Sequence, residues 1–161
     1  MSGPVRKQYQ IFIDRPPQAV FDFHINPRNL ARLSPEEARE EAETDAEIPT
    51  GVGSRLQFRA RRGPVPRRME VEMTEWNPPH GFAERQVSGP FASWTHKRRF
   101  APFQAGTLMT DTLEYEPIAG PLGVLADKLF LAKNLDTLFA HRHKEAKRLL
   151  EQIGRIKGRE G

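Results

Sequence analysis

Residues 65–76, VPRRMEVEMTEW, alternate apolar Met69, Val71 and Met73 with polar Arg68, Glu70 and Glu72. A period of two sends successive side chains to opposite faces of a strand, so one face here is apolar and the other charged. The preceding segment, VGSRLQFRARRG (52–63), does the same, with Leu56, Phe58 and Ala60 set against Arg55, Gln57, Arg59 and Arg61. GPV between them reads as a turn, and so does NPPHG at 77–81. Strands near 82–88, 91–101 and 106–116, separated by SGP and PFQAG, carry the meander to residue 116. Half-buried antiparallel strands need one sheet face covered. The run therefore predicts an α+β fold of six to seven strands with helices packed on one side.

The cover comes from both flanks. Upstream, residues 5–13 form an opening strand in which Tyr9, Ile11 and Ile13 alternate with polar neighbours apart from Phe12. Pro16 and Pro17 then suit the first turn of a helix with Val20, Phe21 and Phe23 on its apolar face. Asn26 followed by Pro27 restarts the same signal, with Leu30 and Leu33 inward, so two short helices joined by a bend follow the strand. Ser34 and Glu37 have capping-box spacing, and the acidic stretch after them reads as a turn or loop drifting into an exposed edge strand near 43–48. Downstream, Gly120-Pro121 starts a helix, and Leu135, Leu138, Phe139, Ala146, Leu149, Leu150 and Ile153 recur at three- and four-residue spacing. A single helix over 122–153 would be about 48 Å long, longer than such a domain is wide. A bend or break near 131–134 is expected, leaving helix 134–153 across the sheet and a frayed tail at 154–161.

Composition narrows the chemistry. A chain of 161 residues suits one domain, here 1–161. With no cysteine, thiolate zinc sites, iron–sulfur clusters and cysteine nucleophiles are excluded. No apolar leader opens the chain and no run approaches a membrane span, which predicts a soluble, cytoplasmic protein. The net charge of +4 is C-terminal in origin: residues 81–161 carry 13 Lys/Arg against 9 Asp/Glu. No helix-turn-helix, zinc-finger or RNP-like pattern accompanies it, so a solvated basic helix face is expected rather than a nucleic-acid site. An interaction protein using that helix is the weaker alternative.

Strand, two short helices, a meander and a long C-terminal helix is the helix-grip order. In IDRPPQAVFDFHINPRNLARLSP, GVGSRLQFRAR, GPFASWTHKRRF, GTLMTDTLEYEPIAGPLG and LFAHRHKEAKRLL the sequence resembles the START-like SRPBCC superfamily, in its polyketide cyclase/dehydrase-like bacterial branch. The resemblance covers nearly the whole chain. It implies a curved sheet gripping the long helix around an apolar cavity, and binding of lipid-, polyketide- or aromatic-like molecules. Some members are cyclases or dehydratases. The acidic stretch at 36–47 departs from the strand-like pattern of the family.

Candidate site residues follow from strand pairing. If PFQAG sets Ala101 near Gly106, His96 faces Asp111, Trp94 faces Leu113 and Arg98 faces Met109, with Tyr115 two residues further on the same face. A two-residue GP loop at 89–90 adds Arg85 opposite Trp94, and Leu135 and Phe139 face them from the helix. Arg85, His96 and Asp111 would then be the polar groups of an apolar surface, and a one-residue slip would undo the arrangement. Three readings stand side by side. The cluster orients a ligand in a cavity, or it is a buried His–Asp bond with Arg85 neutralising the carboxylate, or His96 and Asp111 act as acid and base in a cyclase or dehydratase. Ser93 points away from His96, which removes a Ser–His–Asp triad. His141 and His143 diverge by about 200° on a helix, so no metal is expected, and GVGSRL leads into a strand rather than the helix a dinucleotide site requires. No cofactor is implied. The partner expected is a small hydrophobic ligand, held by a monomer or homodimer.

Overall fold

The computed structural model describes residues 3–36, 40–43, 46–62, 65–117 and 132–159. Seven antiparallel strands form one sheet in the order β1-β7-β6-β5-β4-β3-β2. They are β1 (Val5–Ile13), β2 (Glu40–Ala42), β3 (Arg55–Arg62), β4 (Val65–Asn77), β5 (Gly81–Ser88), β6 (Ser93–Phe103) and β7 (Gly106–Glu116). Helix α1 (Pro17–Ile25) has proline at its first turn, where no N–H partner is needed. The Asn26 side chain accepts the Arg28 N–H to start a 3₁₀ turn at Pro27–Asn29, which leads into α2 (Leu30–Leu33). Ser34 donates its hydroxyl to Leu30 O and so closes α2. Glu37, its expected capping partner, lies outside the described residues.

The long helix α3 (Ala132–Arg159) lies on the inner face of the sheet. It continues through residues 154–159, which the sequence assigns to a frayed tail. The bend expected near 131–134 falls at the margin of the described residues. Two register shifts between β4 and β5, with Val87 the extra residue on β5 and Thr74 the extra residue on β4, help curve the sheet. The edge strand is shorter and earlier than the 43–48 expected: after Ala42 pairs with Phe58, the chain turns through Glu43 and brings Ala46 against the core.

Two hairpins correct the predicted register. In β6–β7 the turn is the two residues Gln104–Ala105, with Gln104 at φ 50°, so Phe103 pairs with Gly106. Arg98 therefore lies opposite Asp111, His96 opposite Leu113 and Trp94 opposite Tyr115. The error is two residues, an even number, and every side chain keeps its face. Between β5 and β6 the loop is Gly89–Ala92 rather than the GP pair, and Arg85 lies beside Thr95. That odd shift turns Arg85 outward to pair with Glu72 at 3.7 Å and brings Glu84 inward opposite His96.

The inner face carries two apolar clusters. In the larger, Phe21 of α1 sets its ring edge-on to Trp76, Phe82 and Phe100 at centroid distances of 5.4, 5.8 and 5.9 Å. Ala146, Leu149 and Leu150 of α3 close it. The smaller gathers Leu113, Tyr115, Leu135 and Phe139, with Val5, Tyr9, Phe91 and Trp94 packed around them. The C-terminal half of α3 is tied to the end of β1. Lys147 donates to Phe12 O and pairs with Glu151, Glu151 accepts the Asp14 N–H, and Arg15 donates to Leu150 O. Arg15 runs alongside Gly154, where a Cβ would stand 2.8 Å from Arg15 Cδ. Removing the Phe21 ring empties the centre of the larger cluster, so Phe21→Ala should lower stability by about 3–5 kcal/mol. Urea unfolding followed through Trp76 emission measures it, and a loss below about 1 kcal/mol would mean that the ring packs far less than described.

Candidate functional site

Between the two clusters lies a polar layer centred on Asp111, a β7 carboxylate that is 1% exposed between inward-facing Met109 and Leu113. Its Oδ1 accepts from His96 Nε2 at 2.6 Å and from Arg98 Nε at 2.8 Å, both on β6. Its Oδ2 accepts from His143 Nε2 at 2.5 Å, on α3. Burial alone would raise the carboxyl. The Arg98 guanidinium and the bonds from His143 and His96 outweigh it and hold the group well below the usual carboxylate range. An ionised carboxylate only accepts, so both imidazoles carry their proton on Nε2 toward it. The other His96 nitrogen, Nδ1, lies 3.5 Å from Glu84 Oε1. Arg98 also stands over the Phe82 ring at 5.8 Å, and His96 meets Phe139 edge-on at 5.4 Å.

His24 of α1 completes the layer. Its Nδ1 donates to Val20 O at 2.7 Å and its ring lies 5.5 Å from that of Phe100. Burial and the Arg98 charge lower it to about 3, against the Val20 bond, which favours the charged form. At the outer rim, Tyr9 stacks on Phe139 at 4.8 Å and 4°, and its hydroxyl donates to Asp136 Oδ1 at 2.6 Å. Lys7 reaches the same oxygen at 2.7 Å. Burial, then the bond to Asp136, raises the Tyr9 hydroxyl, while the Lys7 and Tyr9 bonds lower Asp136.

Of the residues singled out from sequence, His96, Arg98 and Asp111 meet directly, and Trp94, Leu113, Tyr115, Leu135 and Phe139 line the smaller cluster beside them. Met109 belongs instead to the larger cluster, opposite Phe100. Arg85 is absent from the layer, and Arg98 takes the neutralising place assigned to it. Sequence reasoning missed His143, Glu84 and His24. His143 was legible: it sits four residues after Phe139 and three before Ala146, inside the apolar stripe, and a polar residue there needs a buried partner. A groove of about 390 Å³ near the 77–81 turn is lined by Glu75, His80, Lys97 and Arg99 among others. Lys97 pairs with Glu75 there at 2.9 Å, while Phe82, Phe100, Ala101 and Pro102 also line it, so the groove is mixed in character. Among the described residues no group of three or more His, Asp or Glu side chains is placed to hold a metal ion, and no helix is long and apolar enough to cross a membrane.

A curved antiparallel sheet closed around a long helix, with short helices at one end, defines a helix-grip protein. The chain belongs to the family described as polyketide cyclase/dehydrase and lipid transport, whose model matches residues 4–151. It is similar to protein CV1439 from Chromobacterium violaceum, with TM-score 0.73 and 18% identity over 92% of this chain and 99% of that one. It is also similar to the Zhui aromatase/cyclase from Streptomyces sp. R1128, with TM-score 0.71 and 14% identity over 92% and 94%. The di-domain ARO/CYC StfQ from the steffimycin biosynthetic pathway gives TM-score 0.69 and 15% identity over 94% of this chain and 52% of that one. At such identities the likeness is one of fold. No curated protein matches the sequence.

Two outcomes follow from the layer. Asp111→Asn keeps the shape but leaves Arg98 without its counter-charge, and should cost about 3–5 kcal/mol in urea unfolding. A variant as stable as the wild type would show that the buried charge is dispensable. The second concerns acid. His24 binds its proton less readily folded, at about 3, than unfolded, so stability should fall as pH falls from about 6.5 toward 3, by up to about 1.4 kcal/mol per unit. Asp111, whose folded value lies below its unfolded one, adds a loss only below about pH 4. His24→Gln should flatten the slope between about pH 6 and 4 and leave the lower limb. An unchanged slope in unfolding midpoints across that range would assign it to other groups.

Proposed function

We propose that this protein binds a small hydrophobic molecule between the sheet and α3, at the end formed by Trp94, Leu113, Tyr115, Leu135 and Phe139. The polar layer forms the inner wall of that site, and its orienting side chains are His96 and Arg98. The observation that carries the reading is the division of one inner face by a buried charged layer. On one side apolar residues pack into a core, and on the other half-buried aromatic rings surround the buried ring of Tyr115. Phe91 and Trp94 are only partly buried, so aromatic surface remains at the rim for an apolar guest. Membership of a family described by polyketide cyclisation, dehydration and lipid transport supports the same ligand class, as does the likeness to the Zhui aromatase/cyclase fold.

The cluster supports binding over acid–base chemistry. Both oxygens of Asp111 already accept hydrogen bonds, His96 has a carboxylate beside each ring nitrogen, and His143 donates to Asp111. A general base must present a free lone pair within reach of the substrate proton, and with Nε2–H given to Asp111 the lone pair of a neutral His96 falls on Nδ1, 3.5 Å from Glu84 Oε1. Cyclase or dehydratase chemistry at His96 would run through Nδ1 and requires a substrate to come between that nitrogen and Glu84.

Native mass spectrometry of the purified protein, together with Trp94 emission during titration with fatty-acid, polyketide-like and aromatic probes, tests the reading. A retained mass or a saturable emission change in wild type, weakened in Phe139→Ala, is the expected result. No retained mass and no response to any of the three probe classes would overturn it.

A further inference from the structure

The loop Gly89–Ala92 joins β5 to β6 and carries Phe91 to the rim of the proposed site. Its position is held by one side chain. The Gln86 amide donates from Nε2 to Phe91 O at 2.9 Å and accepts the Phe91 N–H on Oε1 at 3.2 Å. Both main-chain groups of one residue are thus paired by one planar amide, the pattern of a hydrogen-bonded strand pair. On the other side of the loop, the Ala92 N–H donates to Glu116 O at 2.9 Å. The chain must pass close over the Gln86 amide to make these bonds. A Cβ at Gly89 would stand 2.4 Å from Gln86 Oε1 and 2.8 Å from its Cδ, so a side chain there would displace the amide. So held, the Phe91 ring stacks on Trp94 at 4.7 Å and meets Tyr115 edgewise at 5.6 Å.

Nothing in the Asp111 layer uses this clamp, and the larger core does not include Phe91. A glutamine spending both its polar ends on a surface loop has a more specific effect than filling space. It fixes an aromatic ring over the half-buried indole at the rim. We propose that Gln86 is a positioning residue and Phe91 the gate it holds: the clamp keeps the Phe91 ring over Trp94, and its opening governs how fast hydrophobic molecules reach and leave the site. The inference rests on the ligand-binding reading above. The gate moves with the loop because Gln86 supplies both bonds to Phe91, so their loss frees the ring while Ala92 stays pinned to β7.

The test combines Gln86→Ala, Gly89→Ala and the double variant, all in the full chain, with two readouts. The first is hydrogen exchange of the Phe91 amide, which reports the clamp directly and needs no ligand. The second is the stopped-flow rate of binding and release of 1-anilinonaphthalene-8-sulfonate, a hydrophobic anion whose emission rises in apolar surroundings. Each single variant should lose protection of the Phe91 amide. Each should also raise both probe rates about tenfold, the effect on an open–closed equilibrium of losing one to two net hydrogen bonds. Because both substitutions break one clamp, the double variant should go no further than either single one. Retained protection of the Phe91 amide in Gln86→Ala overturns the clamp. Lost protection with unchanged rates overturns the gate while leaving the ligand reading intact. A wild type that takes up no probe counts against the ligand reading itself, and the gate falls with it.

Discussion

A carboxylate stripped of water must be compensated by donors in good geometry, since breaking a buried pair costs several kcal/mol. Asp111 meets this with three donors from two structural elements: His96 and Arg98 from the neighbouring strand and His143 from α3. The strand donors follow from pairing, because inward positions on adjacent strands face each other. The helix donor does not. A rotation of α3 by one residue, about 100°, would carry His143 away from the sheet. The apolar stripe alone tolerates small slides of a helix on a sheet, whereas one imidazole bonded to one carboxylate oxygen does not. The buried charge thus specifies where the helix sits, and apolar packing supplies the bulk of the stabilisation.

The same layer divides the interior by task. Toward Phe21 and Phe100 the rings pack edge to face, an arrangement that suits aromatic quadrupoles and leaves little freedom. Toward Trp94 and Phe139 edge contacts are joined by two flat ones: Tyr9 lies parallel to Phe139 and Phe91 is stacked on Trp94. Flat, partly exposed faces accept another apolar surface more readily than interlocked edges. The rim is braced from outside by Lys7 and Tyr9, which share one oxygen of Asp136 near the start of the described helix.

Much of this was legible in the residues, and the limits have physical causes. Alternation in 52–76 and 106–116 sorted the strands' faces, because a two-residue period survives any even error in register. Asp111 therefore stayed inward although its partner strand was misplaced by two. The β5–β6 connection had no such protection. Gly89-Pro90 reads as a two-residue turn, yet a four-residue loop forms because Gln86 binds Phe91, a side-chain effect without local signature. One odd step exchanged Arg85 for Glu84. The divergence of His141 and His143 speaks only against a shared metal, and it is the same divergence that turns His143 toward Asp111. The short β2 was hidden by an acidic composition that strands seldom have.

The first strand finds its place late. Val5 pairs with Tyr115 and Ile13 with Thr107, Phe12 O accepts from Lys147 of α3, and Arg15 just past the strand donates to Leu150 O. Strands β3 to β7 can zip hairpin by hairpin as neighbours in sequence, but β1 has no strand partner until the chain past residue 106 exists. On a ribosome its apolar Ile11 and Ile13 must wait until β7 has been made, and closing so long a loop is the slow part of forming such a topology. The N-terminal strand is thus the last element of the sheet to be secured, and the segment most in need of protection from other chains while the protein is being made.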